Sequence, residues 1–272
     1  MLDRPRQPKD HDLAIIEAIR KAQRLLDECN VTSIPVDLVR LAQRQGIHRI
    51  REMETALDGQ LLELEGGGYE VILGKNAPLT RKRFTLAHEI GHTLLQGSEK
   101  LSCGGGAIEE LCNVAAAELL IPGRFLRKLF PETNDVTVES FLKVSKLCRC
   151  SLEATGWKLL NCGVIKGSLL IWKVKSQAET EMLELLSVPH TWGLHQPFKT
   201  GMMVHPRTVL WQALMAEEAG LIGLQENESG ENHQGERIRL GKTLLVLIRF
   251  GTNLHTQIRY PERPAIQELL PF

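Results

Sequence analysis

A surplus of charge is what this chain most plainly lacks: Lys plus Arg total 33 and Asp plus Glu total 33, for a formal net charge of zero. Without a basic excess there is no overall electrostatic pull toward nucleic acid or an anionic membrane, so any such binding has to be local. Long apolar runs are missing as well. The stretch Met1 to Asp10 has no apolar segment of the kind that marks a secretion signal, and no run approaches the ~20 apolar residues that span a bilayer. A soluble, cytoplasmic protein with no membrane partner is expected. The six cysteines, Cys29, Cys103, Cys112, Cys148, Cys150 and Cys162, include no CxxC pair and no framework spacing. That argues against a disulfide scaffold and for reduced, half-buried thiols.

Against these absences stands one dense stretch, Phe84-Thr85-Leu86-Ala87-His88-Glu89-Ile90-Gly91-His92-Thr93-Leu94-Leu95. Its apolar residues recur with a period near 3.6, which predicts a helix, with Thr80 as its N-cap. Residues four apart share a helix face, so His88 and His92 can offer two imidazole nitrogens to one metal ion. Glu89, one step round, can reach a water on that ion without ligating it. This is the HExxH pattern of zinc peptidases. A short pattern with free positions also arises by chance, and its context decides. The run Ala107 to Pro122 predicts a second helix, and an acidic side chain on it can complete a three-ligand site with one open position. Glu109, Glu110 and Glu118 all qualify by residue type, and Cys103 is a further candidate, although its Gly104-Gly105-Gly106 neighbours make a poor ligand scaffold.

Around this centre the pattern predicts helices over Asp12 to Cys29 and Val36 to Gln45, then strands at Gly59 to Leu64 and Tyr69 to Gly74 in a small antiparallel sheet. Such a sheet edge could hold an extended substrate by main-chain hydrogen bonds. Tyr69 is read as structural. Helices over Val138 to Cys148 and Leu152 to Leu160, with Ser151 as cap, form a helix-turn-helix-like pair. From Arg124 to Lys158 seven basic residues face four acidic ones, a weak signal for DNA. Residues 161–272 read as a separate α+β unit, with strands at Gly167 to Lys175, Thr243 to Phe250 and Leu254 to Tyr260. A helix is expected at Pro206 to Ala219 and a polar loop from Glu226 to Arg237. His190, His195 and His205 are read as loop or pocket residues in preference to a second metal site.

The residues Arg83 to His92, taken with Glu109-x-x-Cys112-Asn113-x-x-Ala116-Ala117-Glu118-Leu119-Leu120-Ile121-Pro122, resemble the ImmA/IrrE family of zinc metallopeptidases, and Ile34 to Ala42 fits the same family. The resemblance implies an α+β, zincin-like peptidase domain over 1–130, a helix-turn-helix-like segment over 131–160, and a C-terminal α+β domain over 161–272 that is GAF-like and could sense a signal. It implies Zn2+ held by His88, His92 and Glu109, with Glu89 as general base. Glu109 is chosen over its rivals because the family's acidic ligand stands four residues before an asparagine, here Asn113, which can steady a ligand from behind. Members of the family cleave a helix-turn-helix transcriptional repressor and so release stress or mobile-element genes. Two other classes compete: a zinc-stabilised regulator that docks on a repressor without cutting it, and a DNA-binding regulator acting through the paired helices.

Overall fold

The computed structural model describes residues 10–97, 105–131, 136–177, 180–191, 198–205, 208–215, 220–225, 232–240 and 243–249. The chain begins with helix α1 (Asp10–Glu28), whose inward residues Ala14, Ala18, Ala22, Leu25 and Leu26 are buried. Helix α2 (Leu38–Arg44) is shorter than the periodicity predicts, because Asp37 caps it: its carboxylate accepts from the backbone N–H groups of Val39 and Arg40. A cap of this kind contributes ~1 kcal/mol.

Three strands follow, β1 (Ile47–Met53), β2 (Gly59–Glu63) and β3 (Tyr69–Gly74). The sheet expected to be antiparallel is mixed: β2 and β3 pair antiparallel as expected, and a third strand, β1, joins them in parallel. The order is β1-β3-β2, with β1 parallel to β3 and β2 antiparallel to it. The β2–β3 hairpin is local, and its second strand returns alongside β1, which leaves β2 on the outer edge.

Helix α3 (Leu79–Leu95) lies against this sheet. Its N-cap is Pro78, not Thr80, which sits inside the first turn. Helix α4 (Gly105–Leu120) packs on both α3 and α1. The approach of α3 and α4 is close: a Cβ on Gly91 would stand 3.1 Å from the Cys112 carbonyl oxygen. Helix α5 (Gly123–Leu129) follows, then α6 (Val138–Cys148) and α7 (Leu152–Asn161). Arg149 ends α6 in the left-handed region at φ 53°, and Ser151 caps α7 by accepting from the Ala154 N–H.

The C-terminal part is a six-stranded antiparallel sheet in the order β6-β5-β4-β9-β8-β7. Its strands are β4 (Gly167–Gln177), β5 (Thr180–Ser187), β6 (Met203–Val204), β7 (Gly220–Gln225), β8 (Asn232–Leu240) and β9 (Thr243–Arg249), with α8 (Val209–Met215) packed on it. The polar stretch read as a loop from Glu226 to Arg237 is strand from Asn232 onward, since its backbone ladders with β7 and β9 whatever its side chains. The strand expected at Leu254 to Tyr260 lies outside the described residues.

One cluster of buried apolar side chains runs from Ala22 on α1 through Ile90, Ala116 and Phe141 to Leu245 and Leu247 on β9. A second, around Trp172 and Leu244, fills the space between the larger sheet and α8. Among the described residues no helix is long and apolar enough to cross a membrane.

Candidate metal centre

The cleft lies between the edge strand β2 and helices α3 and α4, with a volume of about 820 Å³. Helix α3 presents one face to it: Arg81, Phe84, Thr85, His88, Glu89, His92 and Leu95 recur at three- and four-residue steps along the cleft wall, and Gln96, which ends the helix, continues it. Helix α4 contributes Ile108, Glu109 and Asn113, again spaced by one turn. Two sequence-distant stretches thus face each other because each is a helix with one chemically special stripe.

His88, His92 and Glu109 come together so that their ligand atoms all lie within 4.8 Å of one another. The two Nε2 atoms are 3.1 Å apart, His88 Nε2 is 3.1 Å from Glu109 Oε2, and His92 Nε2 is 3.5 Å from Glu109 Oε1. Asn113 Oδ1 can only accept, so the 2.9 Å contact to His88 Nδ1 is a bond donated by the imidazole. That places the proton of His88 on Nδ1 and turns the lone pair of Nε2 toward His92 and Glu109. With the His92 proton on Nδ1 as well, two lone pairs and a carboxylate converge on one point, an arrangement that a cation relieves. Two nitrogens and one carboxylate oxygen are a donor set that suits zinc, with the cleft side left open.

Glu89 also lines the cleft but is only 7% exposed. Burial raises its pKa above the usual carboxylate range; His88 acts against this and the Glu109 carboxylate adds to it. Burial lowers the pKa of His92, with His88 acting in the same direction and Glu109 against it, and a neutral imidazole is the form that ligates a metal.

The rivals for the third ligand fall elsewhere. Glu118, on the far end of α4, is 2% exposed and bonded to Lys158, to Gln23 Nε2 at 3.1 Å and to the Gly123 N–H at 3.0 Å. Glu110 does not line the cleft, and Cys103 lies outside the described residues. Of the three histidines considered for a second site, His195 is likewise outside them. His190 donates from Nδ1 to the Val188 carbonyl and rests against Trp157 with ring centres 5.0 Å apart. Among the described residues His88, His92 and Glu109 are the one group able to hold a metal.

Several cleft residues carry no motif and escape a sequence reading. Gly59 opens β2 where a Cβ would stand 2.1 Å from Thr85 Cγ2 and 3.4 Å from Glu89 Oε1. Asp58 is ion-paired with Arg81, joining the strand's start to the start of α3. At the other end, Tyr69 donates its hydroxyl to Gln96 Oε1 at 2.5 Å.

Part of the chain is similar to known proteins. Residues 42–159 match the family of the IrrE N-terminal-like domain. The chain is 42% identical over 62 residues to the radiation response metalloprotease IrrE of Deinococcus radiodurans, a match covering 19% of this chain and 19% of that protein. It is 38% identical over 69 residues to the protein of the same name from Deinococcus deserti, covering 22% and 25%. The matched segments therefore span a quarter or less of those relatives' lengths. A Mycobacterium tuberculosis transcriptional regulator of known structure shares the fold over 85% of this chain and 86% of its own, with a TM-score of 0.51 and 14% identity.

Proposed function

Since residues 42–159 of this chain belong to the ImmA/IrrE family of metallopeptidases, we propose that the protein is a zinc-dependent endopeptidase acting on an extended segment of another protein. The observation that carries this reading is the convergence of His88, His92 and Glu109 beside the buried Glu89, on a cleft bordered by a strand that is at the sheet edge among the described residues. A docking protein would need none of that arrangement.

In this mechanism His88, His92 and Glu109 hold the ion, and Asn113 keeps His88 in the ligating tautomer. Zinc, when bound, supplies Lewis acidity to the scissile carbonyl and makes a water nucleophilic near neutral pH. The N–H and C=O groups on the outer side of β2, which pair with no strand among the described residues, hold the substrate backbone as an added strand, which fixes the position of the bond to be cut. Glu89 accepts the proton of the attacking water and returns it to the leaving amine. Its buried setting, which raises its pKa, suits a group that must both take and give a proton.

The substrate in this reading is a helix-turn-helix transcriptional repressor in the same cytoplasm, whose cleavage releases stress or mobile-element genes. The C-terminal sheet, GAF-like in this reading, is the part that would sense a signal. The DNA-binding alternative draws on the basic residues between Arg124 and Lys158, yet Lys158 is turned inward on Glu118 and Arg124 is paired with Asp27. The test is intact-mass analysis of a repressor encoded beside the gene, incubated with the zinc-loaded protein and with Glu89→Gln. Two fragments with the wild type alone support the reading. An intact repressor in both, with the two proteins bound stably to one another, favours docking.

A further inference from the structure

The cleft is chemically lopsided, and its asymmetry bears on which bonds it would cut. Strand β2 has a direction relative to α3. Its start is tied to the first turn of the helix by Asp58 on Arg81, and Gly59 sits against Thr85 and Glu89, on either side of His88. Its end, Glu63, pairs with Tyr69, whose hydroxyl reaches Gln96 just beyond the last turn. A peptide added antiparallel to β2, the more stable pairing, therefore runs from the Gln96 end toward the Arg81 end. The residue that follows the scissile bond then meets the wall on the α3 N-terminal side of His88.

That wall carries two large apolar side chains beside the Arg81–Asp58 pair. Phe84 stands one turn before His88, with ring centres 6.4 Å apart, and is half-buried. Leu57, in the turn before β2, lines the same cleft and is 58% exposed. Outside the cleft, Met53 at the end of β1 and Leu79 at the start of α3 are also exposed. Arg81, the charge at this end, is already paired with Asp58 and so offers little to an acidic side chain.

We propose that Leu57 and Phe84 form the pocket for the side chain immediately after the cleaved bond, and that the substrate carries a bulky apolar residue there. This rests on the peptidase reading and names its substrate class: an extended segment with Leu, Ile, Met or Phe following the cut. An apolar surface of this kind on a strand edge could instead join two copies of the chain, and the experiment separates these occupants.

A peptide mixture is digested with zinc-loaded wild type, Leu57→Lys and Phe84→Ala, and the cut sites are read by mass spectrometry. In parallel, binding of uncut peptides to Glu89→Gln, with and without Leu57→Lys, is followed by fluorescence anisotropy, and zinc content is measured throughout. The exposed position of Leu57 lets Leu57→Lys fold normally even where Phe84→Ala does not. The expected result is bulky apolar residues after the cut in the wild type, a drop of about tenfold in kcat/KM for those peptides with Leu57→Lys, and a matching loss of peptide affinity in the Glu89→Gln background. Cuts with no apolar preference, or a preference that both substitutions leave unchanged, overturn the pocket while the peptidase reading stands. Apolar-selective binding without cutting supports the pocket and defeats the peptidase reading. Neither binding nor cutting defeats both. A dimer that dissolves in Leu57→Lys with peptide selectivity unaltered assigns the surface to self-association and overturns the proposal.

Discussion

Lys158 on α7 donates its ammonium to the Glu118 carboxylate on α4, and both side chains are more than nine-tenths withdrawn from solvent. Glu118 Oε1 also accepts from Gln23 on α1 and from the N–H of Gly123 at the start of α5. Four helices thus meet on one carboxylate, on the helix that also carries Glu109 and Asn113.

Removing one partner of such a pair leaves a buried charge unmatched, at a cost of about 3–5 kcal/mol. Lys158→Met should therefore lower the melting temperature by roughly 10 °C, at the 2–4 °C per kcal/mol typical of a domain this large. Glu118→Gln should also destabilise the protein yet bind zinc normally when folded. Thermal unfolding and metal analysis check both.

For the ligands, Glu109→Ala should lose stoichiometric zinc outright. Asn113→Ala keeps all three donors but frees the His88 tautomer, so its zinc affinity should fall about 10- to 100-fold without loss of fold. Competition against a chromophoric chelator measures each.

Glu89→Gln removes a proton acceptor and keeps the shape of the side chain. Zinc content should match the wild type while turnover falls by about 10²- to 10⁴-fold. Turnover near the wild-type rate would assign the proton transfer to another group.

Much of this arrangement is legible in the residues before any coordinates. The 3.6 period placed His88, Glu89 and His92 along one helix, and α6 spans Val138–Cys148 as its pattern predicts. The choice among Glu109, Glu110 and Glu118 was not open to periodicity, since all three sit on one helix and only the crossing of α3 and α4 at Gly91 and Cys112 decides which faces the histidines. The parallel pairing of β1 with β3 was hidden for a related reason: alternation reports which face a side chain takes, not which neighbour the backbone chooses. That Lys158 is turned inward is not legible either, because its partner lies 40 residues away on another helix.

Gly59 sets the width of the cleft. In Gly59→Ala the new Cβ meets Thr85 Cγ2, and Thr85 is itself buried, so β2 has to move away from α3. Peptide cleavage should fall mainly through KM while zinc affinity stays close to wild type, since no ligand rides on β2. Steady-state kinetics beside metal titration separate the two.

The thiols give a pH signature. Burial pushes Cys148 up to about 11 and Cys150 up to about 12 from a model-compound value of 9.0. A raised folded-state pKa stabilises the fold below about pH 9, and that contribution is lost as pH rises toward 11 and 12. Alkylation of both at pH 8 should be slow in the native protein and fast in urea, and stability to urea should decline from about pH 9 upward.

The edge position of β2 has a further consequence for life in a crowded solution. An open strand edge invites any unfolded chain, including a nascent copy of this one, to pair with it. Here the edge is five residues long, with exposed Gln60 and Glu63 breaking its apolar run. It is long enough to grip one extended peptide and too short to template a growing sheet. The strand that would present a substrate to the metal is by the same shortness kept from becoming a seed for aggregation.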